Sequence, residues 1–318
     1  MNTAEKLLNI TQRGNKKKLV LIKWLQKLKL LSKKKRCSLC ERKMKMRKGG
    51  NTRDGYRWVC RRHNRFMSKS IRDGSIFSGS RSSLTSWMMF MHRFAQGLRL
   101  RQVDLIEEGV CGSSRTLSKM SKTLRRVCVQ AVKHLKRRGK MRIGGRHGFV
   151  VIDESKFCHK RKYARGRFGA TWRRRGWVFG LLEVNQRRRR PVLKFVRRQN
   201  SERLLPIIQR YVRPASTILS DSWRSYCRLR QHGCHTIHYQ VNHQRFFVHP
   251  ATGAHTQHIE RSWRTFKQEV YRFRGNMTEK SLREILHFIE WNYWLGRQHR
   301  NGPLGRLFKD IRAIHPVQ

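Results

Sequence analysis

The chain has 318 residues and sets 75 Lys+Arg against 18 Asp+Glu, a formal charge of +57. That length allows one sizeable core and two or three domains, while self-repulsion at such a charge disfavours any compact state without counter-ions. A polyphosphate backbone is the obvious counter-ion, so nucleic acid is the expected partner; no stretch approaches the roughly 20 apolar residues that cross a bilayer, so no membrane role is expected.

Of the eight cysteines only Cys37 and Cys40 form a tight CxxC, and no secreted disulfide framework is visible. Lys23 interrupts "LVLI" (Leu19–Ile22) at once, so the N-terminus lacks signal-peptide organisation. A soluble protein of a reducing, intracellular compartment is expected.

The first predicted element is a basic amphipathic helix over residues 18–32, with Leu21, Trp24, Leu25, Leu28 and Leu31 at helical spacing. Its stripe is read as packing on the chain itself, with a membrane surface or partner helix as alternatives. The flanking clusters Lys16–Lys18 and Lys33–Lys35 suit phosphate contacts, a nuclear address or solvated linker.

Next comes "CSLC" (Cys37–Cys40), nineteen residues, then "CRRH" (Cys60–His63). Two ligand pairs on short turns present Cys37, Cys40, Cys60 and His63 to one tetrahedral ion, which predicts one structural Zn²⁺. "GG" at Gly49–Gly50 and "DG" at Asp54–Gly55 mark turns of a small β ribbon. The gap is too long for the usual ββα finger, and four independent side chains are the alternative.

Residues 83–136 read as helical. "LTSWMMFMHRFAQGL" ends near Gly97, "RQVDLIEEG" stops at Gly109, and a long basic helix opens with Ser113 or Ser114 as N-cap. Leu117, Met120, Leu124, Val127, Val132 and Leu135 form its apolar stripe, with Lys119, Lys122, Arg125 and Arg126 largely outside it. Two helices across a Gly-containing turn, the second basic, fit a helix-turn-helix or an ordinary helical bundle.

The pattern changes after the Gly- and Arg-containing linker Gly139–Gly148. "FVVIDESKF" is a strand with Asp153 near its end; "GWVFGLLEV" and "PVLKFVRR" are two more, with Arg187–Arg190 in their turn. "SERLLPIIQRYV" is a helix with Ser201 as N-cap, "STILSD" a strand delivering Asp221, "WRSYCRLRQHG" a helix and "HTIHYQV" a strand. "GAHTQHIERSWRTFKQEV" (Gly253–Val270) contains a helix, and Ser281–Tyr293 is another. This order predicts an α/β domain with a mixed sheet.

Acids are scarce, yet one closes each of two apolar strands. On the helix of Gly253–Val270, Ile259, Trp263, Phe266 and Val270 form the buried stripe, Arg261, Arg264 and Gln268 face outward, and Glu260 and Lys267 share a flank. Asp153, Asp221 and Glu260 together suit two divalent cations, Mg²⁺ or Mn²⁺, which prefer oxygen ligands and serve displacement at phosphorus. The bland alternative is that the two aspartates cap helices and Glu260 pairs with Lys267 or Arg264.

"IGGRHGFVVIDESKFCHKRKYARGR" (Ile143–Arg167), "ILSDSWRSY" (Ile218–Tyr226), "VNHQRFFVHPATGAHTQHIERSW" (Val241–Trp263) and "SIRDGSIF" (Ser70–Phe77) resemble the Merlin superfamily of DNA transposases and, more distantly, related bacterial insertion-sequence transposases. The resemblance implies an RNase H-like catalytic fold in which Asp153, Asp221 and Glu260 match the DDE triad. It implies binding of transposon terminal inverted repeats, phosphodiester cleavage, and joining of the freed 3′-OH ends to target DNA. His63 stands where the family usually has Cys.

The expected organisation is thus a basic amphipathic helix in residues 1–32, a zinc ribbon in 33–80, a helix-turn-helix-like DNA-binding region in 81–142 and an RNase H-like mixed-sheet α/β domain in 143–318. Lys119, Lys122, Arg125, Arg126 and Lys267 are candidate DNA contacts, Lys267 alternatively pairing with Glu260. His243 and His255 are candidates for scissile phosphate or simple solvation. Trp172, Trp177 and Trp223 are candidates for stacking on a base, with Trp177 read as core because it opens a strand. A homo-oligomer, dimer or larger, on paired ends and a nuclear location (nucleoid or cytoplasm for a bacterial source) follow from the resemblance. A non-enzymatic zinc-containing DNA-binding regulator and a basic RNA-binding protein are the rival readings.

Overall fold

The computed structural model describes residues 18–50, 52–62, 67–98, 100–145, 149–157, 176–185, 189–221, 226, 237–241, 257–273 and 278–317. Among these the elements in chain order are α1 (Lys18–Lys27), β1 (Lys45–Lys48), β2 (Tyr56–Cys60), β3 (Met67–Ser70), α2 (Leu84–Ala95), α3 (Gln102–Glu107) and α4 (Ser114–Arg137). They continue with β4 (Phe149–Ser155), β5 (Trp177–Val184), β6 (Arg189–Val196), α5 (Ser201–Tyr211), β7 (Thr217–Asp221), β8 (Ile237–Val241), α6 (Gln257–Arg272) and α7 (Glu279–Trp291). A π-helical turn, Asn292–Gly296, and α8 (Gly302–Ile314) follow. Residues 1–17 and the predicted helix "WRSYCRLRQHG", Tyr226 excepted, lie outside the described residues. The chain divides into two compact units, Met1–Gln130 with Leu295–Gln318, and Ala131–Trp294.

In the first unit α1 is shorter than its apolar pattern suggests, because Lys29 turns left-handed at φ 55°. The change of direction buries Leu30 and Leu31, whereas Leu28 is only half-buried. Trp24 meets Phe308 of α8 edge-on, ring centroids 6.2 Å apart, so the stripe of α1 packs on its own chain. α2 also packs against α8.

β1, β2 and β3 form an antiparallel ribbon. Its first turn closes with Gly49 N donating to Gly55 O at 3.1 Å, and Gly55 takes φ 73°, a conformation glycine adopts at low cost. Arg72 ties this turn to the chain leading into α2. Its Nε and Nη2 donate to Asp54 Oδ2 and Oδ1 at 2.6 and 2.5 Å, and its Nη1 donates to Ser82 O at 2.7 Å. Both partners are buried. On α4 it is Ser113 that caps, its hydroxyl accepting from Thr116 N at 3.2 Å.

The second unit centres on a five-stranded sheet of order β6-β5-β4-β7-β8. β4, β5 and β6 run antiparallel in sequence, and β7 and β8 run parallel to β4. The near-continuous apolar run of β5, buried from Val178 to Val184, suits a strand covered on both faces. β6 begins at Arg189, so Arg189 and Arg190 belong to the strand, with Arg190 paired to Glu183, and not to the turn. Asn200, not Ser201, is the N-cap of α5.

α6 packs on β4, β5 and α7, and α7 packs on β6. β6 is an edge strand, and two side chains occupy its outward backbone groups: Glu290 Oε1 accepts from Leu193 N at 2.9 Å, and Trp294 Nε1 donates to Pro191 O at 2.8 Å. The other oxygen of Glu290 accepts from Lys136 Nζ at 2.6 Å. Burial works to raise the fully enclosed Glu290, but Lys136 and His287 overcome it and hold its carboxyl down at about 2.

Candidate active site

Asp153 and Asp221 sit near the C-terminal ends of adjacent parallel strands. Phe149 pairs with Thr217 and Val151 with Leu219; the same offset, 217 − 149 = 221 − 153, brings the two aspartates level. Parallel pairing therefore places side by side two acids that are far apart in sequence. Both are half-buried.

Glu260 is carried by the first turn of α6, the helix that packs on β4 and β5. Ile259, Trp263, Phe266 and Val270 bury one stripe of that helix, as their spacing predicts, and Ser262 is buried with them. Arg261, Arg264 and Gln268 are exposed, and Glu260 is exposed as well.

Each oxygen of Asp153 is oriented by one N–H. Glu154 N donates to Oδ1 at 2.7 Å, and Trp263 Nε1 donates to Oδ2 at 2.7 Å. Those bonds favour the carboxylate, yet burial, with the charges of Asp221 and Glu260 acting in the same sense, lifts Asp153 to about 6. Burial is the main cause of the lift, and Asp221 and Glu260 add the smaller part. A carboxylate oxygen has two lone pairs, so each Asp153 oxygen keeps one for a cation after its hydrogen bond. Two half-buried carboxylates and an exposed third that repel one another fit a hard divalent cation.

Glu154 is a fourth acid of this site, and no role is foreseen for it in the sequence reading. Burial raises it to about 7, helped by Asp153 and Asp221 and opposed by a hydrogen bond from Tyr226 Oη to Glu154 Oε1. Strand alternation explains the arrangement. Asp153 and its partner Gly180 face α6, whereas Glu154 and its partner Phe179 face the other side, where Tyr226 stacks on Phe179 at 6.5 Å between centroids. The signal available in the sequence is a second acid in "IDESKF" from so small a supply of acids.

Lys267 is half-buried with Nζ 5.7 Å from the centre of the Phe157 ring. Trp177 is half-buried beneath Lys156 Nζ at 4.4 Å. Trp172, Trp223, His243 and His255 lie outside the described residues. On α4, Lys119, Lys122 and Arg126 are exposed, and Arg125 is half-buried, donating from Nη1 to Ser121 Oγ at 3.0 Å. Arg115 is exposed as well, so 115, 119, 122 and 126 follow one helical line.

In the ribbon, Cys37 and Cys40 occupy a knuckle closed by the Arg36–Lys43 bridge and by Glu41 N donating to Cys37 O at 3.0 Å. Cys60, at the end of β2, completes a cluster whose sulphur atoms all lie within 4.8 Å of one another. Sulphurs on a tetrahedral zinc with bonds of about 2.3 Å would stand about 3.8 Å apart, and Cys40 and Cys60 are separated by 3.8 Å. Burial and the two neighbouring thiols raise the Cys60 thiol to about 11, the strain expected of three clustered sulphurs that a cation would relieve. His63 lies outside the described residues.

A mixed sheet that gathers acids at the ends of neighbouring parallel strands suits a divalent cation, and a charge of +57 suits a polyphosphate partner. Residues 143–293 match the family model of the ISXO2-like transposase domain, a match that spans the five-stranded sheet with α5, α6 and α7. It supports a DDE-type transposase family, with DNA as partner and divalent-metal-dependent chemistry as the general activity. No curated protein gives a significant match to the chain. Among the described residues no helix is long and apolar enough to cross a membrane.

Proposed function

We propose that this protein is a DNA transposase of the Merlin type that binds terminal inverted repeats, cleaves phosphodiesters and joins the freed 3′-OH ends to target DNA. Asp153, Asp221 and Glu260 are its cation ligands, on an RNase H-like sheet. The strand order supports that fold assignment: three antiparallel strands in succession, then two parallel strands added on the far side of the first. The observation that carries the reading is the parallel register that sets Asp153 level with Asp221, with Glu260 on the helix that packs on the strand of Asp153. In this reading, three acids from distant parts of the sequence form one site at the C-terminal ends of β4 and β7.

Asp153, Asp221 and Glu260 would hold two Mg²⁺ or Mn²⁺ ions, whose chemistry would be to activate an attacking oxygen and stabilise a leaving one in in-line displacement at phosphorus. The chain's own contribution is positional. Glu154 N and Trp263 Nε1 fix the Asp153 carboxylate, and Lys267, on the same helix as Glu260, is the phosphate contact of this reading. Cleavage and joining use one centre because the nucleophile changes while the displacement geometry does not.

DNA recognition falls to the zinc ribbon, held by Cys37, Cys40, Cys60 and His63, and to the exposed Lys119, Lys122 and Arg126 of α4, with Arg125 beside them. Holding two ends together calls for a dimer or larger assembly. The lysine clusters Lys16–Lys18 and Lys33–Lys35 support action in the nucleus, or at the nucleoid in a bacterial source.

The test is to incubate the protein with the terminal repeats of its element and Mg²⁺ or Mn²⁺. Strand-specific cleavage is expected, and Asp153→Ala, Asp221→Ala and Glu260→Ala should abolish it, while substitution of His159, a residue of the stretch Ile143–Arg167 outside the triad, by Ala should not. Equal cleavage by the three variants would dismiss the reading; repeat binding with no cleavage by any form would favour the regulator.

A further inference from the structure

Gly180 of β5 stands directly across from Asp153 on β4. A Cβ there would lie 2.4 Å from Cη2 and 2.7 Å from Cζ2 of Trp263, and 3.4 Å from Ile259 Cδ1. The six-membered ring of the indole therefore fills the space that any other residue at 180 would occupy. Two further rings hold it edge-on, Phe157 at 5.7 Å and Phe266 at 5.9 Å between centroids. From this seat Nε1 reaches Asp153 Oδ2 at 2.7 Å.

An indole that served only as filling between helix and sheet would not need its single polar atom aimed at a carboxylate. Here the N–H is almost wholly removed from water, Trp263 being 5 % exposed, and a buried donor that is satisfied favours one orientation of its partner. With Glu154 N on Oδ1, the Asp153 carboxylate is gripped at both ends and cannot swing about its terminal torsion. Trp263 also lies three residues beyond Glu260 on α6, so the same contact sets the helix that carries the third acid against the strand that carries the first.

We propose that Trp263, admitted by Gly180, is the positioning residue that holds Asp153 in the orientation required for cation binding. This rests on the reading of Asp153 as a cation ligand. Outer partners that orient a metal ligand typically change metal affinity by about 10- to 100-fold when removed.

The experiment is a Mn²⁺ titration of the full chain without DNA, following free Mn²⁺ by electron paramagnetic resonance, with thermal melting recorded in parallel. Trp263→Phe keeps an aromatic ring but no donor, and its Mn²⁺ binding should weaken by about 10- to 100-fold. Gly180→Ala, which touches no carboxylate, should weaken it in the same direction by displacing the indole. The double variant should bind no worse than the weaker single one, because both changes remove one contact. Gly176→Ala is the control: its Cβ would meet the Phe195 ring at 2.4 Å, so it should lower the melting temperature and leave Mn²⁺ affinity alone. Replacing Trp263 by benzothienylalanine, which keeps the ring shape without the N–H, should reproduce the loss in a folded protein.

Wild-type affinity in Trp263→Phe or in the benzothienyl variant would overturn the proposal, as would strictly additive effects of Trp263→Phe and Gly180→Ala. Asp153→Asn separates the two levels of inference. If it abolishes Mn²⁺ binding while the Trp263 variants bind normally, the positioning role alone fails. If it binds Mn²⁺ like the wild type, the assignment of Asp153 as a ligand fails.

Discussion

Asp153 and Asp221, carried by neighbouring parallel strands, stand level with each other at the sheet end although 68 residues separate them (221 − 153). Two carboxylates brought together in partial burial cost folding energy unless something positive joins them, and in Asp153 that cost shows as a carboxyl lifted to about 6.

The consequence is a pH-dependent stability with a definite sign. The folded-state value lies above the ordinary 3.8, so the stability contributed is complete below that ordinary value and lost as pH rises through about 6. Asp153→Asn should therefore be more stable than the wild type at pH 8, by on the order of 2 kcal/mol, and nearly equal to it at pH 4. Urea unfolding with magnesium and manganese omitted measures this; a variant less stable than wild type at pH 8 would contradict it.

Glu290 has the opposite sign. Its carboxyl falls from 4.5 to about 2, so its stabilisation is present above 4.5 and lost as pH falls toward 2. Lys136→Ala leaves this enclosed carboxylate with His287 and the Leu193 N–H but without its paired ammonium, and loss of one partner of a buried pair costs about 3–5 kcal/mol. The expected result is a large drop in unfolding midpoint at pH 7 that narrows on acidification through pH 4 toward pH 3. A drop under 1 kcal/mol at neutral pH would show that the pair matters little to β6 and α7.

The sulphur cluster makes a compositional prediction. Metal analysis of the purified protein should find about one tightly held zinc per chain, lost in Cys37→Ser and Cys40→Ser. Because structural zinc sites contribute directly to folding, chelation should melt the ribbon at a lower temperature than the rest. A metal-free preparation with unchanged unfolding would remove zinc from the account.

The line Arg115, Lys119, Lys122 and Arg126 predicts how binding depends on salt. Affinity for DNA should fall linearly on a log–log plot against salt, and each of Lys119→Gln, Lys122→Gln and Arg126→Gln should reduce that slope by about 1. Arg125→Gln should change the slope less, since its guanidinium is engaged with Ser121. An unchanged slope in the three exposed variants would move the DNA contact elsewhere.

Local patterns in the sequence are enough to read much of this architecture. The four stretches around β4, β5, β6 and β7 are apolar runs bounded by polar turns, the stripe of α6 repeats every three to four residues, and the Gly-marked ends of α2 and α3 fall where they are expected. Boundaries are read less well. Nothing in "KLKLLS" marks the left-handed turn at Lys29 that ends α1, and Arg189 and Arg190 look like turn residues because their charges mask the opening of an edge strand. α8 escapes notice altogether, since the Gly and Pro at its start read as breakers rather than as a helix opening.

What the sequence determined by itself is therefore the class: charge sets the partner, periodicity sets the elements, and scarce acids at strand ends mark where to look. Only the tertiary structure decides that Asp153 faces Gly180, that an indole from α6 occupies the space so created, and that Glu154 turns away to Tyr226 on the opposite face. The physical reason is that strand register and helix docking are settled by pairing across long chain separations. A shift of one residue would exchange Asp153 and Glu154 between the faces without changing a letter of either motif.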